Sequence, residues 1–179
     1  MYHFARNPEA QEKVMEEILD NIGSEEINHE NINSLHYLEA CIMETLRMCP
    51  PVTEHDRVCT NDCEINGIKI KKDTRIQLPV YAAHMDPDFF PNPHVYRPER
   101  FLKENADEII PYTWRPFGAG NRVCIGQRFA LMEIKIFMAK FLSKFRVEST
   151  NKTKLLYKPG GFFLLSYPEI VVALKPRNA

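Results

Sequence analysis

One segment of the sequence combines a cysteine with glycines and an arginine in a pattern suited to presenting a reactive sulfur. It reads Trp114-Arg115-Pro116-Phe117-Gly118-Ala119-Gly120-Asn121-Arg122-Val123-Cys124-Ile125-Gly126. Glycines let the backbone approach another group closely. A helix is predicted just after Cys124, and its positive N-terminal end together with Arg122 favours a thiolate over a thiol. The segment is therefore predicted to present the Cys124 thiolate; the alternative is a buried structural cysteine, a frequent role of free cysteines.

Two other kinds of site fit the residues less well. The run Gly118–Gly120 begins like a dinucleotide-binding fingerprint, but position 123 is valine and no clear strand precedes it. A zinc site is suggested by the four-residue spacing of His55, Cys59 and Cys63. Because the two cysteines flank a predicted turn and no second Cys/His pair is nearby, packed or exposed thiols are favoured there.

A charged pair lies on the second predicted helix. Glu44 and Arg47 are three residues apart and project from one face, which is otherwise largely apolar. These residues alone favour a solvent-exposed ion pair, since such pairs are common and contribute little. The alternative is a buried pair that needs further partners. Arg100, which follows a proline-rich loop, could clamp that loop to Glu44 by a bidentate contact.

The remaining pattern predicts the elements that position these residues. Asn7-Pro8 predicts a helix start, and apolar residues at four-residue spacing continue to Gly23. Proline cannot continue a helix, so the helix that begins near Ser34 must end before Pro50. A further core helix is predicted over 125–145 from its apolar spacing.

Strands and turns are predicted between and after the helices. Asn66-Gly67 between two short apolar runs predicts a tight hairpin, and 74–80 predicts another strand. Prolines between 86 and 98 exclude regular structure from that stretch. The end of the chain, from 154 to 174, predicts a small β-structure.

Composition excludes some functions. Lys plus Arg is 23 against 24 for Asp plus Glu, so no excess charge attracts nucleic acid or acidic lipid. No apolar run is long enough to span a membrane, and the N-terminus lacks a signal peptide's apolar stretch, so this chain alone is expected to be soluble and cytoplasmic. Its five cysteines, an odd number, indicate reduced thiols rather than a disulfide framework.

Three motifs together resemble those of the cytochrome P450 family. They are Phe117-x-x-Gly120-x-Arg122-x-Cys124-x-Gly126, Glu44-x-x-Arg47 and Pro98-Glu99-Arg100-Phe101. The resemblance covers nearly the whole chain. Within the family, the sequence looks most like animal microsomal members related to thromboxane synthase and the 3A group. It implies that residues 1–179 are the C-terminal, haem-binding part of one P450 domain, mainly α with small β-sheets and incomplete.

The resemblance also implies residue roles. Cys124 is implied to ligate the iron of haem b, as the catalytic and metal-binding residue. Glu44, Arg47 and Arg100 are implied to form a buried structural triad, which replaces the exposed-pair interpretation. The other residues implied to contact haem are Arg57, Phe117, Gly118, Arg122, Ile125, Gly126 and Ala130. Candidate substrate contacts are Val52, Thr53, Glu54, His55, Phe162 and Phe163.

The implied activity is that of a monooxygenase, which inserts one oxygen atom from O2 into a lipophilic small molecule with electrons from NADPH–cytochrome P450 reductase. A full-length parent is implied to lie at the endoplasmic reticulum membrane. The family's oxygen-activating helix and membrane anchor are expected upstream of this sequence. The alternative is therefore a catalytically inactive fragment that binds haem weakly or has only a structural or interaction role.

Overall fold

The computed structural model describes residues 1–155, 158–160, 164–166 and 169–177. These described residues contain five α-helices: α1 (Tyr2–Arg6), α2 (Pro8–Asn21), α3 (His36–Met48), α4 (Val80–His84) and α5 (Gln127–Lys144). The three long helices α2, α3 and α5 confirm the predicted ones, whereas α1 and α4 were not predicted. Short 3-10 turns are Ile32–Ser34, Pro98–Phe101, Lys103–Glu108 and Gly120–Arg122.

Eight short strands pair as four separate antiparallel two-stranded sheets in the described parts of the chain. The strands are β1 (Glu54–Val58), β2 (Cys63–Ile65), β3 (Ile68–Ile70), β4 (Arg75–Pro79), β5 (Phe145–Glu148), β6 (Lys158–Gly160), β7 (Leu164–Ser166) and β8 (Ala173–Pro176). The pairs are β1 with β4, β2 with β3, β5 with β8 and β6 with β7. The architecture is thus mainly α with small sheets, as predicted.

The hairpin β2–β3 shows how local sequence sets local structure. Asn66 and Gly67 have φ angles of 50° and 81°, and this left-handed pair is what a tight two-residue hairpin requires. Along the two strands, Cys63 pairs with Ile70, and Ile65 pairs with Ile68 directly beside the turn. The predicted Asn-Gly turn is therefore confirmed.

The apolar core is formed by one face each of α2, α3 and α5. Its buried residues include Val14, Ile18, Ile32, Leu35, Leu38, Cys41, Ala139, Leu142 and Val147.

The start of α3 is fixed by a neighbouring helix rather than by a capping side chain of its own. The Glu17 carboxylate of α2 accepts hydrogen bonds from the backbone N–H groups of Tyr37 and Leu38 at 2.6 and 3.0 Å. A carboxylate at a helix N-terminus satisfies donors that have no partner within the helix.

A buried amide joins α2 to the far end of the chain. The side chain of Gln11 donates to the carbonyl oxygen of Val147 at 3.0 Å and accepts from the Val147 N–H at 2.7 Å. Gln11 is fully buried. One side chain therefore completes the hydrogen bonding of a residue in β5 that lies 136 positions later.

The proline-rich stretch between His84 and Pro98 contains no helix or strand. Prolines at 87, 91 and 93 remove backbone donors, so this loop cannot be held by a backbone ladder. Its carbonyl oxygens must find donors elsewhere.

Among the described residues, no helix is long and apolar enough to cross a membrane.

Candidate functional site

Cys124 lies on a compact loop just before α5, with an exposed sulfur side chain. Its backbone N–H donates to the carbonyl oxygen of Phe117 at 2.9 Å, which closes the loop. Its own carbonyl accepts from the N–H of Gln127, the first residue of α5, at 3.2 Å. The backbone of Cys124 is therefore fixed on both sides while its side chain remains available to a ligand.

Two glycines in this loop adopt the left-handed conformation. Gly118 has a φ of 80° and Gly120 a φ of 69°, angles that side-chain-bearing residues seldom adopt. A third glycine, Gly126, lies beside the sulfur: a Cβ added there would stand 3.9 Å from the Cys124 Sγ. The first two glycines thus form the turn, and Gly126 places no side chain beside the sulfur.

Helix α5 is a core helix on one side only. Its buried residues are Lys135, Met138, Ala139 and Leu142. The opposite side and the loop before it expose large apolar side chains, namely Ile125, Phe129, Met132, Ile134 and Phe137. The helix predicted over 125–145 therefore has a second, exposed apolar side in addition to its core side. We call these five residues the α5 apolar face.

The β1 strand contacts the cysteine loop through His55. His55 Nε2 lies 3.2 Å from the carbonyl oxygen of Arg115, and a Cβ added to Gly118 would lie 3.8 Å from the same nitrogen. Arg57 follows two residues later on the half-buried strand, and alternate residues of a strand share a face. The predicted haem-contacting Arg57 therefore lies on the β1 face that carries His55.

The predicted site residues differ in how far they are exposed. Phe117 and Ala130 are half-buried, and Arg122 is exposed. Of the candidate substrate contacts, Val52, Thr53 and Glu54 are half-buried at or just before the start of β1. Phe162 and Phe163 lie outside the described residues. His55 contacts the cysteine loop, so one of its two ring nitrogens already has a hydrogen-bond partner within the protein.

No group of three or more His, Cys, Asp or Glu side chains placed to hold a metal ion occurs among the described residues. Cys59 and Cys63 are close together, but His55 binds Arg115 through its ring nitrogen instead. The four-residue spacing of these three residues therefore does not bring them together as a zinc site.

Glu44, Arg47 and Arg100 are brought together in the interior. The Glu44 carboxylate accepts two hydrogen bonds from the Arg47 guanidinium, at 2.7 and 2.9 Å. Arg100 Nε lies 3.6 Å from the same carboxylate. Both members of the first pair are fully buried, and Arg100 is nearly so. The interpretation of Glu44 and Arg47 as an exposed surface pair is therefore wrong.

Carbonyl oxygens of the proline-rich loop complete this cluster. Arg47 donates to the carbonyls of His84 and Pro93, each at 2.7 Å. Arg100 donates to the carbonyls of Pro91 and Asn92 at 2.6 and 3.2 Å. Two buried cations face a single carboxylate, so the carbonyl dipoles supply the remaining negative potential. The cluster thereby supplies side-chain donors to carbonyls at the end of α4 and in the proline-rich loop.

His84 connects this cluster to the cysteine loop and was not identified from the sequence. Its Nδ1 lies 3.1 Å from the carbonyl oxygen of Arg47, and the Arg115 N–H donates to its Nε2 at 3.0 Å. A carbonyl only accepts and an amide only donates, so the proton of the neutral ring must be on Nδ1. Burial, opposed by the hydrogen bond to the Arg47 carbonyl and assisted by nearby positive charge, lowers the pKa of His84 to about 4. A lone histidine at the end of a five-residue helix gave no sequence signal for this link.

We expect the substitution His84→Gln to flatten the acid dependence of stability. The folded ring stays neutral while the unfolded ring takes up a proton below its usual pKa of 6.5. Stability is therefore lost as the pH falls from that value toward 4, by about 2 kcal/mol between pH 7 and 5 at about 1.4 kcal/mol per unit. Urea unfolding of the full-length protein at both pH values measures this loss. His29→Gln, on an exposed side chain, is the control, and an equal loss in His84→Gln and wild type would contradict the link.

The residues around Cys124 fit the flat, largely apolar and doubly anionic haem that the resemblance implies. The sulfur is exposed beside the α5 apolar face. Arg57 and Arg122 supply positive charge, and guanidinium groups match carboxylates well. The buried Nε of Arg115 in the cysteine loop has no hydrogen-bond acceptor within the described structure. An unsatisfied cationic donor next to this loop suits a ligand that carries negative charge.

Comparisons with known proteins agree with these features. The family description "Cytochrome P450" matches residues 1–173. Cytochrome P450 4V2 of Homo sapiens is 41% identical over 181 residues, which cover 100% of this chain and 34% of the human protein. Cytochrome P450 3A6 of Oryctolagus cuniculus is 39% identical over 98% of this chain and 35% of its own length. Cytochrome P450 3A19 of Capra hircus aegagrus is 38% identical over 98% of this chain and 80% of its own length.

The chain thus spans about a third of the length of the first two relatives. The 3A group was anticipated from the sequence, and 4V2 was not. The family match over nearly the whole chain, together with relatives at this level of identity, is sufficient to assign the family. The chain belongs to the cytochrome P450 family.

Proposed function

We propose that this chain forms the haem-binding part of a haem-thiolate monooxygenase, which inserts one oxygen atom from O2 into a lipophilic small molecule. The observation that carries the proposal is the exposed Cys124 sulfur on a glycine-rich loop at the start of α5, beside exposed apolar side chains. Haem b supplies the oxygen chemistry when it is bound, and a cysteine thiolate ligand favours cleavage of the O–O bond.

The chain's own residues bind and orient that cofactor. The Cys124 thiolate ligates the iron, and the guanidinium groups of Arg57 and Arg122 offset the two haem carboxylates. Phe117, Ile125 and Ala130 keep water from the sulfur side, while Gly118 and Gly126 allow the loop to approach closely. Glu44, Arg47 and Arg100 do no chemistry; they hold the proline-rich loop against α3.

Substrate and electron partners belong to the full-length protein. The half-buried residues Val52, Thr53 and Glu54, with Phe162 and Phe163, contribute to the wall that contacts a lipophilic substrate. NADPH–cytochrome P450 reductase at the endoplasmic reticulum membrane supplies the electrons. The names of the relatives, which include 4V2 and 3A members, support this class of reaction without fixing a substrate.

Reconstitution of the full-length protein with haem and reductase tests the proposal. With a panel of lipophilic substrates under isotopically labelled O2, we expect NADPH-dependent products that carry one labelled oxygen atom each. Omission of NADPH or of the reductase should remove these products. A haem-loaded protein that accepts electrons but forms no labelled product from any substrate would contradict the monooxygenase assignment.

A non-catalytic role is the second candidate, and the exposed α5 apolar face favours it for the isolated 179-residue chain. Exposed apolar patches of this kind promote association unless another surface covers them. The isolated chain is then expected to aggregate and to hold haem loosely. Size-exclusion chromatography and haem titration measure both properties, and sustained NADPH-dependent oxidation by the purified 179-residue chain would exclude this candidate.

A further inference from the structure

Two thiols away from the haem-binding loop lie in contact. The Sγ atoms of Cys59 and Cys63 are 3.5 Å apart, and the Cys59 thiol also donates to the carbonyl oxygen of Asn61 at 2.9 Å. Cys63 is exposed and Cys59 is half-buried. A disulfide bond is about 2.0 Å long, so the sulfurs need to approach by about 1.5 Å, a distance that side-chain rotation can supply.

The backbone holds the two cysteines on separate sheets. Cys59 directly follows β1, where its N–H donates to the Thr74 carbonyl at 2.9 Å and its carbonyl accepts from the Asp73 N–H at 2.7 Å. Cys63 is the first residue of β2 and pairs with Ile70 of β3. The two thiols therefore meet where the β1–β4 sheet gives way to the β2–β3 hairpin.

The other three cysteines differ in their surroundings. Cys41 is fully buried in the core, and burial raises the pKa of its thiol to about 12. Cys49 lies 3.7 Å from a ring nitrogen of His3, and Cys124 is the proposed iron ligand. A hydrogen bond to Cys59 raises the pKa of the Cys63 thiol, as expected when one thiol of a pair donates to the other. Only Cys59 and Cys63, of the five cysteines that the structure describes, lie sulfur to sulfur.

We propose that Cys59 and Cys63 form a reversible intramolecular disulfide, a redox site that covalently joins the β1–β4 sheet to the β2–β3 hairpin. The oxidant is a low-molecular-weight disulfide such as glutathione disulfide. One cysteine thiolate attacks a sulfur of the oxidant and releases one glutathione thiolate; the second cysteine then attacks the mixed disulfide and releases the other. Each cysteine loses one proton, and the two electrons and two protons pass to two molecules of glutathione.

The position of the pair makes its oxidation reversible and gives it a structural effect. Exposed disulfides in short loops are readily reduced again, which distinguishes them from buried stabilising ones. Arg57, proposed above to offset a haem carboxylate, lies two residues before Cys59. Oxidation therefore restrains the end of the strand that carries this arginine. The formation of the disulfide itself does not depend on the proposed monooxygenase function.

Thiol mapping of the haem-loaded full-length protein tests the proposal. The protein is equilibrated in buffers of increasing glutathione disulfide to glutathione ratio, free thiols are blocked with N-ethylmaleimide, and peptides are analysed by mass spectrometry. We expect the peptide that contains Cys59 and Cys63 to carry no N-ethylmaleimide label under oxidising conditions. Its mass should be lower than that of the unlabelled, reduced peptide by two hydrogen atoms. Dithiothreitol should restore both labels, and Cys41 should remain reduced throughout.

Two single substitutions serve as matched controls. Cys63→Ser and Cys59→Ser each leave one thiol without a resolving partner, so the remaining cysteine should retain one glutathione as a stable mixed disulfide. The CO spectrum of each variant verifies that the haem site is intact. The proposal is overturned if the wild-type peptide keeps two labels, or acquires two glutathiones, across the whole range of ratios. It is also overturned if either cysteine is found linked to a different one.

Discussion

In the haem-loaded full-length protein, we expect Cys124→His to abolish the strongly red-shifted absorbance of the CO-bound ferrous form. That band requires a thiolate ligand, because a thiolate would donate far more electron density to the iron than a neutral imidazole would. NADPH-dependent product formation is expected to disappear together with the band.

Cys63→Ser is the control for this prediction, since it removes another exposed cysteine at a position remote in sequence from the haem-binding loop. Its CO spectrum should match that of the wild type. An unchanged red-shifted band in Cys124→His would refute the assignment of Cys124 as the iron ligand, whatever its effect on activity.

We expect Glu44→Ala to destabilise the full-length protein by about 3 to 5 kcal/mol and to reduce haem incorporation. The substitution leaves the buried guanidinium groups of Arg47 and Arg100 without their carboxylate. It also removes the acceptor of the Arg97 N–H, which lies 3.0 Å from the Glu44 carboxylate. Urea unfolding gives the free-energy change, and the haem-to-protein absorbance ratio reports incorporation.

Glu108→Ala provides a matched control close to the same loop. Glu108 pairs with Arg97 at 3.0 Å, but the two side chains are 44% and 40% exposed, and pairs in contact with solvent contribute only about 0 to 1 kcal/mol. A Glu44→Ala protein that is no less stable than Glu108→Ala and binds haem normally would show that the buried cluster does not hold the loop.

Local features of the fold were predictable because neighbouring residues determine them. Pro8 begins α2, and Gly23, with a φ of 65°, follows its end. Proline prevents α3 from extending past position 49, and the Asn66-Gly67 pair sets the β2–β3 turn. Each of these depends on the backbone preferences of one or two residues, which the sequence states directly.

Contacts between distant segments could not be derived in this way. The spacing of Glu44 and Arg47 gave a shared helix face, but their burial depends on carbonyl groups of a loop some forty residues later, with Pro93 46 positions from Arg47. His84 shows the same limit, since its role depends on Arg47 and Arg115 lying on either side of its ring. The resemblance to a family supplied the cluster; nothing in the sequence indicated the histidine.

The contacts of α2 with the last strands also constrain the order in which the chain folds during synthesis. The Gln11 amide cannot form its two hydrogen bonds of the folded core until Val147 has been made. Its neighbour Glu12 likewise finds its partners in Arg146 and Arg177. Contacts of such long sequence separation form late, because much of the chain must be ordered first. The part of the apolar face of α2 that packs against α5 and β5 therefore lacks its partners until those segments have been synthesised, and exposed apolar surface of this kind favours aggregation of the nascent chain.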